Sequence, residues 1–318
     1  MNKPLKLRWV LAHVPYDLFL RSANIFAKKV YEKSNGQIEI EVLGADQYLD
    51  KYMSDTDVDT VEGVQFADLV DKGVVEMSQM YNTTLSHYNK DLRVLDMPYL
   101  FRDHDHAQKI LDGKLGLKLL GDLSERSNIR GLAFTYSGGF RMIVGDKPLS
   151  VDDLKGQNIR TSSSDAAVET FKAVEANPVV VPIYKMTDAL KEGVIDIGEN
   201  TWARYFRTNV DSVKRCVTDT KHSLFLTAII INKQIWESLT PEMQAWMQEA
   251  ALEAAQSERA ESLEDNESAI ARCKEEGIPV VEWDETEVEK FKELTQPVYE
   301  YFEKQFPPGM IKYIKSVK

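Results

Sequence analysis

One ten-residue pattern occurs twice in this chain and restricts its fold more than any other feature. Asp68-Leu-Val-Asp-Lys-Gly-Val-Val-Glu-Met77 returns as Asp188-Ala-Leu-Lys-Glu-Gly-Val-Ile-Asp-Ile197. In both copies a helix ends on Lys/Glu-Gly and a strand is expected to begin at Val-Val/Ile-Glu/Asp. Each copy follows another strand, Ile38 to Val42 in one case and Pro178 to Ile183 in the other. Two readings are open. A glycine-capped helix–strand junction is common in any α/β protein, and two such junctions in the same context also describe two lobes of similar design. Ligands of open α/β sheets bind beyond the carboxyl ends of the strands, so two facing lobes would form a cleft there.

The rest of the chain agrees with an α/β class. At 318 residues it exceeds the usual size of one hydrophobic core, which favours two lobes. Leu5 to Leu11 alternates as a strand. A helix follows with Phe19, Ala23, Phe26, Ala27 and Val30 on one face, and Asn35-Gly36 ends it, since glycine readily takes the left-handed cap. Gln37 to Val42 and Val74 to Met77 read as the next strands, and alternation of strands with helices indicates a mainly parallel sheet. Near the end, Leu239-Thr-Pro-Glu242 is a helix start, with a threonine cap and proline in the first turn. Helical periodicity then runs to Gly277, roughly 36 residues or roughly 54 Å. Its apolar stripe fades after Ala255, which disfavours a coiled-coil arm. A beam lying across both lobes fits better.

Charge and motifs exclude several functions. A formal net charge of −12 argues against nucleic acid, whose phosphates need a basic footprint. No stretch approaches the roughly 20 apolar residues of a membrane span. The first residues are not a secretory signal, because Arg8 interrupts any apolar run. That leaves a cytoplasmic protein or one whose leader has been removed. The two cysteines, Cys216 and Cys273, fit one bridge or two buried free thiols. Asp55-Thr-Asp-Val-Asp59 opens like a calcium loop, but Thr60 replaces the turn glycine and Phe66 the bidentate glutamate. His104 and His106 lack a third ligand for zinc. Gly113, Gly116 and Gly121 do not have nucleotide-binding spacing, and no nucleophile elbow occurs. Neither metal nor cofactor is expected, and nothing advertises an enzyme.

Several segments, in order, resemble the solute-binding proteins of TRAP (tripartite ATP-independent periplasmic) transporters. They are Lys33-Ser-Asn-Gly-Gln-Ile-Glu-Ile40, Asp96-Met-Pro-Tyr-Leu-Phe-Arg102, Gly139-Phe-Arg141, Asp153-Leu-Lys-Gly-Gln-Asn-Ile-Arg160, Ala189 to Asp196 with Glu199-Asn200, and Ile231-Asn232 with Trp236-Glu-Ser-Leu239. The resemblance spans nearly the whole chain. It implies a clamp of two α/β lobes like a periplasmic binding protein, with the ligand cleft between them and the long helix spanning both. The expected division is 1–137 plus 225–262 for lobe 1 and 138–224 plus 263–318 for lobe 2. It also implies a monomeric periplasmic protein with its leader removed, partnered by the transporter's membrane subunits.

The resemblance assigns Arg160 to the ligand carboxylate, a role its fixed charge and paired donors suit. Arg141 corresponds to a second arginine. Asn200 both donates and accepts, so it would orient a carboxylate or hydroxyl. Trp202 would stack on an apolar ligand face or fill the core. From the first lobe, His13, Tyr81, Asn82 and, more weakly, Asp46 fall where the family places contacts. Ile183 stands where some relatives carry an aromatic, which argues against ring stacking there. The family's valine–proline after the anchor is replaced by Thr161-Ser-Ser-Ser164, hydroxyls for a polyol or a cap for the next helix. The aspartate-rich 46–71 segment departs from the family, so specificity is not transferable through it. The implied ligand is a small organic acid, foremost a sugar acid, bound by closure of the lobes. A C4-dicarboxylate, keto or aromatic acid is the alternative, and a ligand-sensing subunit is the other role open to the same fold.

Overall fold

A left-handed glycine closes both copies of the repeated pattern in the computed structural model, which describes residues 3–13, 16–53 and 65–318. Gly73 has φ +72° and Gly193 φ +70°. In the first copy the amides of Val74 and Val75 both turn back to the Leu69 carbonyl, at 2.9 and 3.2 Å. In the second, Val194 and Ile195 turn back to Ala189, at 2.9 and 3.4 Å. This is the capping geometry glycine permits, with the last helical carbonyls satisfied by the chain that leaves.

The same bonds correct the expected strand start. Val74 to Glu76 is not a strand, because two of its amides are spent on the helix cap; the strand runs Met77–Tyr81. Its counterpart likewise begins only at Ile197 and ends at Thr201. The acid of each pattern then reaches a neighbouring strand. Glu76 Oε2 accepts the Arg8 amide at 2.8 Å, and Asp196 Oδ2 accepts the Asn158 amide at 2.8 Å.

Ten strands are described: β1 Leu5–Leu11, β2 Ile38–Gly44, β3 Met77–Tyr81, β4 Ile129–Gly145, β5 Asn158–Thr161, β6 Asn177–Val180, β7 Ile197–Thr201, β8 Cys216–Asp219, β9 Leu224–Asn232 and β10 Val280–Glu282. The chain packs as two units, 1–89 with 108–136 and 226–260, and 90–107 with 137–225 and 261–318. Residues 90–107, assigned to the first lobe by the sequence reading, group with the second unit. β4 and the helix Pro241–Glu275 contribute residues to both.

In the first unit β1 is parallel to β2, from Leu5 opposite Ile38 to Leu11 opposite Gly44, and parallel to β3 through Trp9 and Met77. β9 runs antiparallel to β3, with Met77 opposite Ile231. The helix Tyr16–Lys33 covers this sheet with Leu18, Phe19, Ala23, Phe26 and Val30, all buried at helical spacing. Asn35 and Gly36 end it with positive φ, as its sequence indicates.

The second unit repeats the plan. β5 is parallel to β6 and to β7, and β4 is antiparallel to β7. In each unit, therefore, the strand after the repeated pattern lies between a parallel partner and an antiparallel one contributed from elsewhere in the chain. β8 adds to the other edge of β4, and β10 pairs with β8. Both faces of this sheet are buried. Met142 and Val144 of β4 enter one core with Met186, Tyr205 and Cys273, while Ile143 enters another with Ile159, Phe171 and Phe291.

The long helix starts and ends where its capping signals stand. Its buried face does not stop at Ala255 but turns polar: Glu258, Arg259 and Ser262 are as buried as the alanines before them. Glu258 accepts the Tyr136 amide at 2.7 Å, and Arg259 donates to the Phe134 carbonyl and to Asp112, both at 2.6 Å. The stripe fades because these positions serve backbone and charge. No helix among the described residues is long and apolar enough to cross a membrane. The candidate calcium loop Asp55 to Asp59 lies outside the described residues.

A substitution at Gly193 tests the cap alone, because a Cβ there meets nothing within 4 Å. Gly193→Ala is expected to cost about 1–2 kcal/mol through the left-handed backbone. Gly193→Asn should cost less. Equal stability of Gly193→Ala and the parent in urea unfolding would refute the assigned cap.

Candidate functional site

The register of three strands sets the second unit's polar cluster. β4 places Arg141 opposite Thr201 and Met142 opposite Asn200, while β5 places Arg160 opposite Gly198. Arg141, Arg160, Glu199 and Asn200 thus meet on neighbouring strands, and all are buried. Arg141 Nη1 lies 3.1 Å from Glu199 Oε1, and its guanidinium covers the Phe225 ring with 3.9 Å to the centroid. Arg160 donates from Nε to the Val181 carbonyl at 2.8 Å and from Nη1 to the Glu199 carbonyl at 3.1 Å. Those bonds hold its plane in one orientation.

Glu199 is fully buried and is the acceptor at the centre of the cluster. Besides Arg141, it takes the Thr161 hydroxyl and the Ser162 amide, each at 2.8 Å. His222 Nε2 stands 3.4 Å from its other oxygen, and His222 Nδ1 meets the Thr220 hydroxyl at 2.6 Å. Burial would raise this carboxyl, yet Arg141, His222 and Arg160 outweigh it and hold Glu199 well below the usual carboxylate range. Burial pushes His222 down, against the pull of Glu199. Sequence reasoning placed Glu199 only in a motif and missed His222. Neighbourhood to Asn200 was the one available signal for the first, and nothing local marked the second.

Asn200 carries the most open chemistry. Its Oδ1 accepts the Thr201 amide at 2.8 Å, but its buried Nδ2 has no hydrogen-bond partner among the described residues. A buried donor left unsatisfied costs about 1–3 kcal/mol, which an accepting ligand oxygen would recover.

The other expected residues separate. Trp202 and Ile183 are both in the apolar core on one face of the second unit's sheet, and Trp202 also hydrogen-bonds Asp219. Of its two readings, the core one describes this side chain. The hydroxyls after the anchor are mostly occupied: Thr161 on Glu199, and Ser164 on the Asp96 carboxylate and as cap of the helix Asp165–Ala173. Ser163 alone is exposed. In the first unit, His13 stacks on Tyr81 with 3.7 Å between centroids and reaches Met80 Sδ at 3.2 Å. Tyr81 ends β3, and Asn82, fully buried, opens the short helix Asn82–Leu85. Asp46 is exposed in the first turn of the helix Ala45–Tyr52.

His106 is buried, with its ring nitrogens against the Arg102 amide and the Ile314 carbonyl. His104 packs on Phe140. No group of metal-binding side chains occurs among the described residues. Cys216 and Cys273 are free and buried.

The model of the bacterial extracellular solute-binding proteins, family 7, matches residues 14–305. The C4-dicarboxylate-binding periplasmic protein DctP of Rhodobacter capsulatus is 28% identical over 305 residues, covering 93% of this chain and 86% of its own. The 2,3-diketo-L-gulonate-binding periplasmic protein YiaO of Escherichia coli (strain K12) is 29% identical over 253 residues, 77% of this chain and 75% of its own. A solved TRAP periplasmic solute-binding protein from Pseudomonas putida F1, with bound D-glucuronate, superposes with a TM-score of 0.84 at 27% identity, covering 99% of this chain and 98% of its own.

Acid should loosen the cluster in two steps. Unfolding releases His222 to protonate near its ordinary 6.5 and Glu199 near its ordinary 4.5, so stability present at neutral pH is lost as pH falls through each. His222→Asn is expected to flatten the melting-temperature decline between about pH 7 and about pH 5.5. A variant that keeps the parent's slope there would exclude His222 as its source. Glu199→Ala, which strands Arg141 in the interior, should cost about 3–5 kcal/mol in urea unfolding.

Proposed function

The chain belongs to family 7 of the bacterial extracellular solute-binding proteins, the TRAP-transporter receptors, and on that premise we propose that it binds a sugar acid and delivers it to membrane subunits. The carrying observation is the buried, unpartnered Nδ2 of Asn200 on the strand that also bears Glu199, beside Arg141 and Arg160. Arg160, oriented by two backbone carbonyls, takes the ligand carboxylate as a charge-assisted pair, and Asn200 donates to a carboxylate or hydroxyl oxygen. Arg141 adds positive potential, although Glu199 already holds one face of it. His13, Tyr81 and Asn82 are proposed as ligand contacts of the first unit.

On this reading the protein works in the periplasm as a monomer, a location supported by relatives that are periplasmic proteins. It binds without chemical turnover. The sugar-acid reading rests on relatives that bind D-glucuronate and 2,3-diketo-L-gulonate, since most hydroxyls after the anchor already have partners within the protein. A C4-dicarboxylate is the second reading, favoured by the second buried arginine and by the DctP relative.

A thermal-shift screen of refolded protein against hexuronates, aldonates and C4-dicarboxylates tests this. A ligand at about 100 times its Kd should add roughly 2.7 kcal/mol of stability. Arg160→Ala is expected to weaken the hit more than about tenfold, or ~1.4 kcal/mol, with the fold intact. Asn200→Leu should weaken it by about 1–3 kcal/mol. Unchanged affinity in a folded Arg160→Ala variant refutes the assignment, and a hit confined to C4-dicarboxylates selects the second reading.

A further inference from the structure

The second unit contains a cavity of about 360 Å³ that uses none of the ligand contacts proposed above. That volume suits a small molecule, for which about 300–1,000 Å³ is usual. Tyr99, Arg102, Lys292, Gln296, Tyr299 and Lys315 line it, and no described lining residue is acidic. In a chain of net charge −12, three cations around one cavity without a carboxylate is a local inversion.

The walls are preformed. Tyr99 sits at φ +49°, a strained position for an aromatic residue, and two bonds hold it there. Its amide donates to the His222 carbonyl at 2.7 Å and its hydroxyl to the Thr220 carbonyl at 2.6 Å. The Tyr299 hydroxyl donates to the Pro98 carbonyl at 2.6 Å. Arg102 is fixed by the end of the chain, donating to the Lys315 carbonyl at 3.3 Å and the Val317 carbonyl at 2.6 Å. Neither of those acceptors carries a full charge.

The lysines are poised over the ring faces. Lys315 Nζ is 3.9 Å from the Tyr299 centroid and Lys292 Nζ 5.4 Å from that of Tyr99. Lys292 also pairs with Glu289 of its own helix at 2.6 Å, an exposed contact of little strength. Lys315 is an exposed residue with no carboxylate within ion-pair distance among the described residues. Partial desolvation of its ammonium, opposed by Glu303 and helped by the Lys292 charge, lowers its pKa. Two ammonium groups and a guanidinium repel one another until an anion enters, and three cations match a dianion better than a single carboxylate.

We propose that this cavity is a second anion site, taking a phosphate dianion either free or as the phosphoryl group of a small phosphomonoester. Arg102 and Lys315 supply the principal charges, with Lys292 and the Gln296 amide at the rim.

Isothermal titration calorimetry of the full chain at low ionic strength tests this, with inorganic phosphate in one arm and sn-glycerol 3-phosphate in the other. Saturable binding of either is expected, weakened about tenfold or more by Lys292→Met with Lys315→Met and unchanged by Arg160→Met. The paired surface lysines Lys155 and Lys172, replaced by methionine, serve as the control and should change nothing. Tighter binding of the ester assigns the larger ligand, and tighter phosphate the free ion. Absence of saturable binding in both arms, equal loss in the control, or loss in Arg160→Met with retention in the lysine variant would each overturn the proposal. All of the replaced lysines are exposed, so melting temperatures should stay at the parent's value, and sugar-acid binding by the lysine variant should match the parent's.

Discussion

The buried Arg141–Glu199 pair is the interaction on which the second unit's chemistry depends. A carboxylate with no exposure is tolerable only when its charge and lone pairs are met, and here one guanidinium, one hydroxyl, one amide and an imidazole meet them. Those donors come from β4, β5 with the residue after it, and the turn between β8 and β9. One side chain therefore fastens three separate stretches of chain. The desolvation of Glu199 opposes this arrangement, so the pair contributes more to a unique geometry than to net stability.

That geometry then decides how the neighbouring polar groups are held. Arg160 spends two of its nitrogens on backbone carbonyls and is held in plane rather than neutralised by them. Asn200 spends its oxygen on the neighbouring amide and keeps its nitrogen. Serine and threonine hydroxyls that read from sequence as ligand contacts are drawn inward by Glu199 and the helix cap. A receptor needs unsatisfied groups in a rigid setting, and satisfied neighbours provide the setting.

The two units reuse one local solution. In both, a left-handed glycine returns two amides to the last helical turn, and a following acid accepts an amide of the adjacent parallel strand. A short helix then leaves the end of each strand, Asn82–Leu85 in one and Trp202–Tyr205 in the other. The residues proposed for binding cluster at that point in both units, where side chains leave the carboxyl end of a parallel strand. By the spacing of the repeat Asn82 corresponds to Trp202 and Asn200 to Met80, so the two asparagines lie near the same strand-to-helix junction at different positions of it.

Local physics determined what the sequence could disclose by itself. Helix periodicity, the Asn35-Gly36 and Gly193 caps, the Thr240-Pro241 start and the duplicated α/β plan follow from short-range sterics and capping, which depend on residues a few positions apart. The family motifs carried Arg141, Arg160 and Asn200. Tertiary structure alone decided the rest. The strands after the repeats start late because the cap consumes their first amides. The long helix keeps a buried face past Ala255 because the Phe134 carbonyl and Asp112, elsewhere in the chain, supply partners to Arg259. Trp202 is a core residue because the sheet face beneath it is apolar. His222 and Glu199 become partners only through strand register, which joins residues that no local spacing relates, and a buried charge is made tolerable only by donors that arrive from such a distance.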